Sequence, residues 1–180
     1  MTGGEASCVS TDDGVTSFRV EGAGPPLVLV HGPQVGQELF AELRPHLVSA
    51  FTVITYDQRD RGETASATGD GGLQSAPARN DALMRRFAAT RAFDTCGRLA
   101  AIVARTLVVH GRDDAVVPIQ DALAMAGEIT HADVLVLAGA GHAWENDQPA
   151  RAASAIAAFL ADTRRPQSQP VTAVACRAVP

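Results

Sequence analysis

Three glycine-bearing stretches carry side chains able to move protons: His31-Gly32-Pro33, Gly111-Arg112-Asp113-Asp114 and Gly139-Ala140-Gly141-His142. Imidazoles and carboxylates are the groups that general acid–base chemistry uses most. Each stretch follows an apolar run that reads as a strand, and open α/β sheets place their ligands at the carboxyl ends of strands. Taken singly, each is also compatible with an ordinary turn. An Asp in a Gly-Arg-Asp-Asp sequence commonly caps or closes a loop, and a His between Gly and Ala can simply fill one. Their order along the chain, each after a strand, carries more than any one of them.

The elements that must position these loops alternate short apolar runs with longer Ala-rich segments of helical period, the pattern of an α/β sandwich with a mainly parallel sheet of about five strands. Val15 to Val20 is a weak strand closed by the turn-rich EGAGPP. Leu27 to His31 is a continuous apolar run, expected to be a strand buried on both faces. Gln37 to Leu47 is expected to be helical, with Leu39, Phe40, Leu43 and Leu47 on one side and Pro45 as a kink or stop. Thr52 to Tyr56 is the next strand, rich in β-branched residues.

Residues 60–81 hold Gly, Ser, Thr, Asp and Pro too densely for regular structure and read as a loop or joint. Beyond it come a helix over Ala82 to Phe93, a short helical piece over Asp94 to Ala104 and a strand over Thr106 to His110. An amphipathic helix over Ile119 to Ile129, a strand over Asp133 to Leu137 and a final helix over Pro149 to Leu160 follow, the last with Ile156, Phe159 and Leu160 inward. The expected organisation is one domain over residues 1–163, jointed at about 64–82, with a disordered tail over 164–180.

The segments GPPLVLVHG at Gly24 to Gly32, YDQRDRGET at Tyr56 to Thr64, TLVVHGRDDAVVP at Thr106 to Pro118 and GAGHAWENDQP at Gly139 to Pro149 resemble the α/β-hydrolase family. The resemblance runs over about residues 14–162 with a gap inside it. It implies a truncated α/β-hydrolase-like three-layer sandwich, makes His31, Gly32 and Pro33 the oxyanion loop, and gives Asp114 the part of orienting acid and His142 that of general base. A buried carboxylate in that part fixes the imidazole tautomer and stabilises the imidazolium when the ring takes a proton.

The nucleophile of such a site sits at a sharp strand-to-helix elbow flanked by small residues. No Ser, Cys or Asp in the chain has glycine both two places before and two places after it. The family's central strand, elbow and following helix belong between the Tyr56–Thr64 turn and about Ala82, where this chain has the Gly/Ser/Pro-rich joint. If the remaining strands form one sheet, the Leu27 strand must then pair directly with the Thr106 strand. Pro33 departs from the family independently, because it has no N–H to give an oxyanion. Asp60, where the family turn has Gly, is a milder mismatch.

Cys96 as a substitute nucleophile is disfavoured by its place at a helix entrance, and the alternative is a small buried apolar residue. His31, His46, His110 and His131 show no metal-ligand spacing, so neither a metal nor a cofactor is expected. His31 is expected to order its own loop. Trp144 either walls a pocket or packs on the last helix. Cys8, Cys96 and Cys176 form an odd set without a Cys-x-x-Cys spacing, read as reduced thiols.

Composition narrows the function classes. At 180 residues and 46% hydrophobic, the chain can bury one core. A net charge of −5, with basic doublets only at Arg85–Arg86 and Arg164–Arg165, supplies no phosphate-tracking face and argues against nucleic acid. No apolar stretch approaches the roughly 20 residues of a membrane span, and no leader pattern opens the chain, so a cytoplasmic location is expected. The expected partners are a small apolar ligand and, through exposed sheet edges, further copies of the chain. Two functional readings stay open: a family member impaired as a serine hydrolase, or a nucleophile-free enzyme using Asp114 and His142 for cofactor-free hydrolysis, cyclisation or elimination.

Overall fold

The structure is a computed structural model that describes residues 7–11, 14–32, 35–58, 62, 64–66, 84, 88, 94–95 and 97–162. The chain divides into two compact units, residues 1–93 and 94–180.

In the first unit, β1 (Ser7–Thr11), β2 (Gly14–Glu21), β3 (Pro26–Leu29), β4 (Thr52–Tyr56) and the two-residue β5 (Ala65–Ser66) form one sheet in the order β1-β2-β4-β3, with β5 also on β2. β2 runs antiparallel to β1, β4 and β5, and β3 runs parallel to β4 with Leu27 beside Val53. The expected mainly parallel sheet is therefore mixed in this unit. β1 and β2 are separated by two residues and pair antiparallel, the pairing that so short a connection allows.

β3 has β4 as its described neighbour and ends the sheet there. Val28 and the following Val30 are 52% and 60% exposed, which corrects the expectation of a strand buried on both faces. An unbroken apolar run marks burial only when both neighbouring positions are filled.

The segment expected to form one helix over Gln37 to Leu47 forms two 3₁₀ turns, Gln37–Phe40 and Arg44–His46. Pro45 has no N–H for an α-helical bond and stands in the first turn of the second piece. The apolar spacing still does its work: Phe40, Leu43 and Leu47 are buried with Phe51 and Val53. Each fully buried leucine contributes about 1.5–3 kcal/mol.

The second unit carries β6 (Thr106–Gly111) and β7 (Ala132–Leu137) as a parallel pair, with His110 beside Val136 and Gly111 beside Leu137. Between them α1 (Ile119–Glu128) returns across one face, where Ala122 and Ala126 pack on Val108 with Ala132 alongside. α2 (Trp144–Asp147) and α3 (Pro149–Ala161) follow β7.

On α3 the buried positions are Ala152 and Ala153, while Leu160 is 41% exposed and Ile156 and Phe159 are half-buried. The inward face assigned from the sequence is thus displaced toward the helix start. Small alanines allow close approach there, and Phe159 instead carries the Arg105 guanidinium 4.5 Å above its ring.

The described strands form two sheets, one in each unit, so the condition for a direct Leu27-to-Thr106 strand pairing, a single sheet, is not met among the described residues. The helix expected over Ala82 to Phe93 is described at Met84 and Ala88 alone, both helical, and the Asp94–Ala104 piece yields one 3₁₀ turn, Leu99–Ala101. Pro33, Asp60, Ser75, Cys96, Cys176, most of the 64–82 joint and the tail over 164–180 lie outside the described residues. No helix among the described residues is long and apolar enough to cross a membrane.

Candidate active site

Gly111 ends β6 where another residue could not. A Cβ there would collide with the carbonyl oxygens of Gly141 and Ala140, so the loops after β6 and β7 touch backbone to backbone. The Arg112 N–H donates to the Leu137 carbonyl at 2.9 Å and the Asp113 N–H to that of Ala140 at 3.0 Å, which ties the two loops together.

The second loop is held from below. The Asp147 carboxylate accepts from the Gly141 N–H at 2.7 Å, the Gln148 amide donates to the Ala138 carbonyl at 2.6 Å, and Gly139 turns the chain with φ +78°.

Asp114 and His142 meet across this junction. The His142 Nδ1 stands 2.9 Å from the Asp114 Oδ2. The other oxygen, Oδ1, accepts from the N–H groups of Val116 at 2.8 Å and Val117 at 2.9 Å. Burial pushes the Asp114 carboxyl up, but the Val117 N–H, the His142 ring, the Val116 N–H and the His142 charge together hold it down at about 2, below the usual carboxylate range.

An ionised carboxylate only accepts, so Nδ1 of His142 bears the proton of the neutral ring and Nε2 keeps its lone pair. The Asp114 side chain is 4% exposed and that of His142 59%. A buried, ionised acid thus aligns an imidazole open to solvent, an arrangement able to take a proton and to stabilise the resulting cation.

His31 and Gly32 lie in the first unit. The His31 ring is buried, with Nδ1 2.7 Å from the Gly32 carbonyl. A carbonyl also only accepts, so Nδ1 donates and Nε2 takes the Gln58 N–H at 3.0 Å, while the Gln58 side-chain amide donates to the His31 carbonyl. Both ring nitrogens are committed to the backbone around it, so His31 orders its loop. Gly32 is exposed, with nothing near a Cβ placed on it.

The Tyr56–Thr64 turn is anchored through Asp57. Its carboxylate accepts from the Gln37 N–H at 2.8 Å and from the Gln37 side-chain amide at 3.1 Å, and the Thr64 hydroxyl donates to its carbonyl at 2.7 Å.

Sequence reasoning missed two buried groups beside the dyad. His110 lies 3.6 Å from the Asp114 Oδ2 through its Nε2, and Glu145 is a buried carboxyl on α2. Burial pushes Glu145 up, against its own backbone N–H and the His142 charge, and Asp147 pushes the same way as burial. The sequence carries only a weak signal for either, a histidine four positions before the acid and a glutamate three after the base. Trp144 opens α2 and is half-buried. No cluster of three or more metal-ligating side chains occurs among the described residues.

With this geometry established, similarity to known proteins places the chain. The family described as TAP-like protein matches residues 88–173, which include both Asp114 and His142. The structure of a hydrolase from Pseudomonas aeruginosa PA01 superposes with a TM-score of 0.74 at 18% identity over 89% of this chain and 100% of that one. The chain has the α/β-hydrolase fold. A thermophilic esterase from Thermogutta terrifontis also shares the α/β-hydrolase fold, with a TM-score of 0.67 at 18% identity over 87% of this chain and 98% of that one. A 2-hydroxymuconate semialdehyde hydrolase of Pseudomonas sp. (strain CF600) is 38% identical over 64 residues, which are 36% of this chain and 23% of that protein. The match thus spans about a quarter of the length of that curated relative.

Proposed function

We propose that this α/β-hydrolase-family chain, akin to hydrolases of esters and lactones, is impaired as a serine hydrolase. No Ser, Cys or Asp of the sequence has glycine both two places before and two places after it, as a nucleophile elbow would favour, and Pro33 has no N–H to lend an oxyanion hole. Loss of one such donor costs about 2.7–4 kcal/mol of transition-state stabilisation, and here the second donor, which follows the nucleophile, has no elbow to come from.

The 2.9 Å contact between His142 and an ionised Asp114 favours the reading in which the dyad still works. In that reading His142 Nε2 acts as a general base on water or on an acidic C–H, Asp114 stabilises the imidazolium, and a small apolar substrate undergoes cofactor-free hydrolysis, cyclisation or elimination without a covalent intermediate. The relative's activity on a semialdehyde is a property of that protein, and the substrate class here is proposed on the chemistry of the base alone.

Two measurements decide. A fluorophosphonate probe is expected to label no serine, and a labelled serine identified by peptide mass spectrometry would return the chain to the standard mechanism. His142→Ala is expected to lower any measured turnover by about 10²–10⁴-fold. Turnover unchanged in that variant would end the general-base reading.

A further inference from the structure

The Asp114 Oδ2 faces two imidazoles. His142 Nδ1 is 2.9 Å from it and His110 Nε2 is 3.6 Å from it, with the His110 side chain 11% exposed. The other nitrogen of His110 fixes what the first can do. Nδ1 lies 2.8 Å from the Gly111 carbonyl, which only accepts, so Nδ1 carries a proton in every state of the ring that keeps this bond. Neutral His110 therefore turns a bare Nε2 lone pair toward the carboxylate, and 3.6 Å is longer than a hydrogen bond. Protonated His110 has an N–H there, and a charge-assisted bond to Oδ2 becomes available.

We propose that His110 is a positioning residue of the dyad, a second imidazole whose protonation competes with His142 for the same Asp114 oxygen. This deepens the general-base reading and rests on it for its consequence in turnover. While His110 is neutral, Oδ2 serves His142 alone and keeps its ring aligned. When His110 takes a proton, the carboxylate is shared between two cations, and the stabilisation it gives to imidazolium at 142 is divided. Two ionisable groups that interact by more than about one pK unit lose their protons in two steps that belong to the pair.

The surrounding charges leave Asp114 as the shared group. On β7, Asp133 stands opposite Leu107, and strand alternation puts that pair on the sheet face away from His110. On α1, which covers the His110 face through Val108, Asp121 is exposed in the first turn and Glu128 accepts from the Gly97 N–H. Arg151 of α3 is exposed and donates to the Gln148 side chain. The buried Glu145 feels the charge on His142.

The test needs no substrate. In the full chain labelled with ¹⁵N-histidine, ring resonances of His142 and His110 are followed by NMR across the acid and neutral range. The expected result is a proton on Nδ1 of both neutral rings and a His142 curve in two steps. In His110→Phe the second step is expected to disappear, leaving a one-proton curve. His110→Gln serves should the phenylalanine variant not fold, and Asp114→Asn, which keeps both rings but removes the shared charge, is expected to abolish the coupling from either side.

A one-proton His142 curve in the unsubstituted protein, or the same curve with and without His110, would overturn the proposal. A histidine that merely packs would give that second outcome. Because the titration does not pass through turnover, failure of the general-base reading in the His142→Ala assay remains distinguishable from failure of this one.

Discussion

Asp114 is the residue on which the proposed general-base chemistry turns, and its environment makes a pH-dependent statement about stability. Its carboxyl is lowered from 3.8 to about 2 in the folded chain, so the unfolded state binds the proton more readily. A depressed folded value gives stability that is present above the unfolded value and lost as pH falls through the folded one. Between about pH 4 and pH 2 the second unit is therefore expected to lose stability in the native sequence, and Asp114→Asn is expected to flatten that part of the acid limb, as read by circular dichroism against pH. The same substitution should lower any turnover by about 10³–10⁴-fold with little change in KM, because an amide no longer fixes the ring proton on Nδ1. At the other histidine, His31→Ala would leave the Gln58 N–H without its acceptor, and a urea titration should record a loss of about 1–3 kcal/mol. Asp114 and His142 were singled out by the resemblance of their segments to the α/β-hydrolase family, since residue types after strands read equally well as ordinary turns. His110 was not, because a strand residue four positions before an acid carries no local signal; only the curl of the loop after Gly111 returns Asp114 to its side.

At the scale of elements, agreement with the sequence follows how local the determinant is. Thr52 to Tyr56 forms β4 with the same bounds expected from its β-branched run, and the strands at Thr106 and Asp133 and the helices at Ile119 and Pro149 lie within a residue of expectation at each end. Periodicity located those elements because each buries a face regardless of what packs on it. The Gln37 to Leu47 segment kept its buried face but not its helix, since one proline broke the hydrogen-bond ladder that periodicity presupposes. β1 was unread because a short strand of Ser, Cys, Val and Thr is made by its antiparallel partner rather than by its own pattern. The junction of the β6 and β7 loops depends on Gly111, and Gly111→Ala is expected to cost about 1–3 kcal/mol by overpacking and to separate His142 from Asp114. Chemical denaturation reads the first effect and loss of the ordered His142 Nδ1 proton signal the second.

For the whole molecule, the position of β3 at the end of the first unit's described sheet is the feature that links fold to behaviour. Val28 and Val30 stand exposed at the end of the first unit's described sheet, and an apolar edge of this kind invites pairing with another chain. Val28→Lys with Val30→Lys is expected to reduce self-association in sedimentation velocity, and a sedimentation profile unaltered by the two charges would count against the edge as the contact. The sequence by itself carried the resemblance that pointed to the α/β-hydrolase fold and located the strands that present the loops, because these reside in residue type and order along the chain. Only the tertiary structure decided that β3 ends its described sheet, that the sheet of the first unit is mixed, and that one carboxylate oxygen faces two imidazoles. Those depend on which segments meet in space, and residues 28 positions apart come within 2.9 Å through backbone contacts that no local pattern encodes.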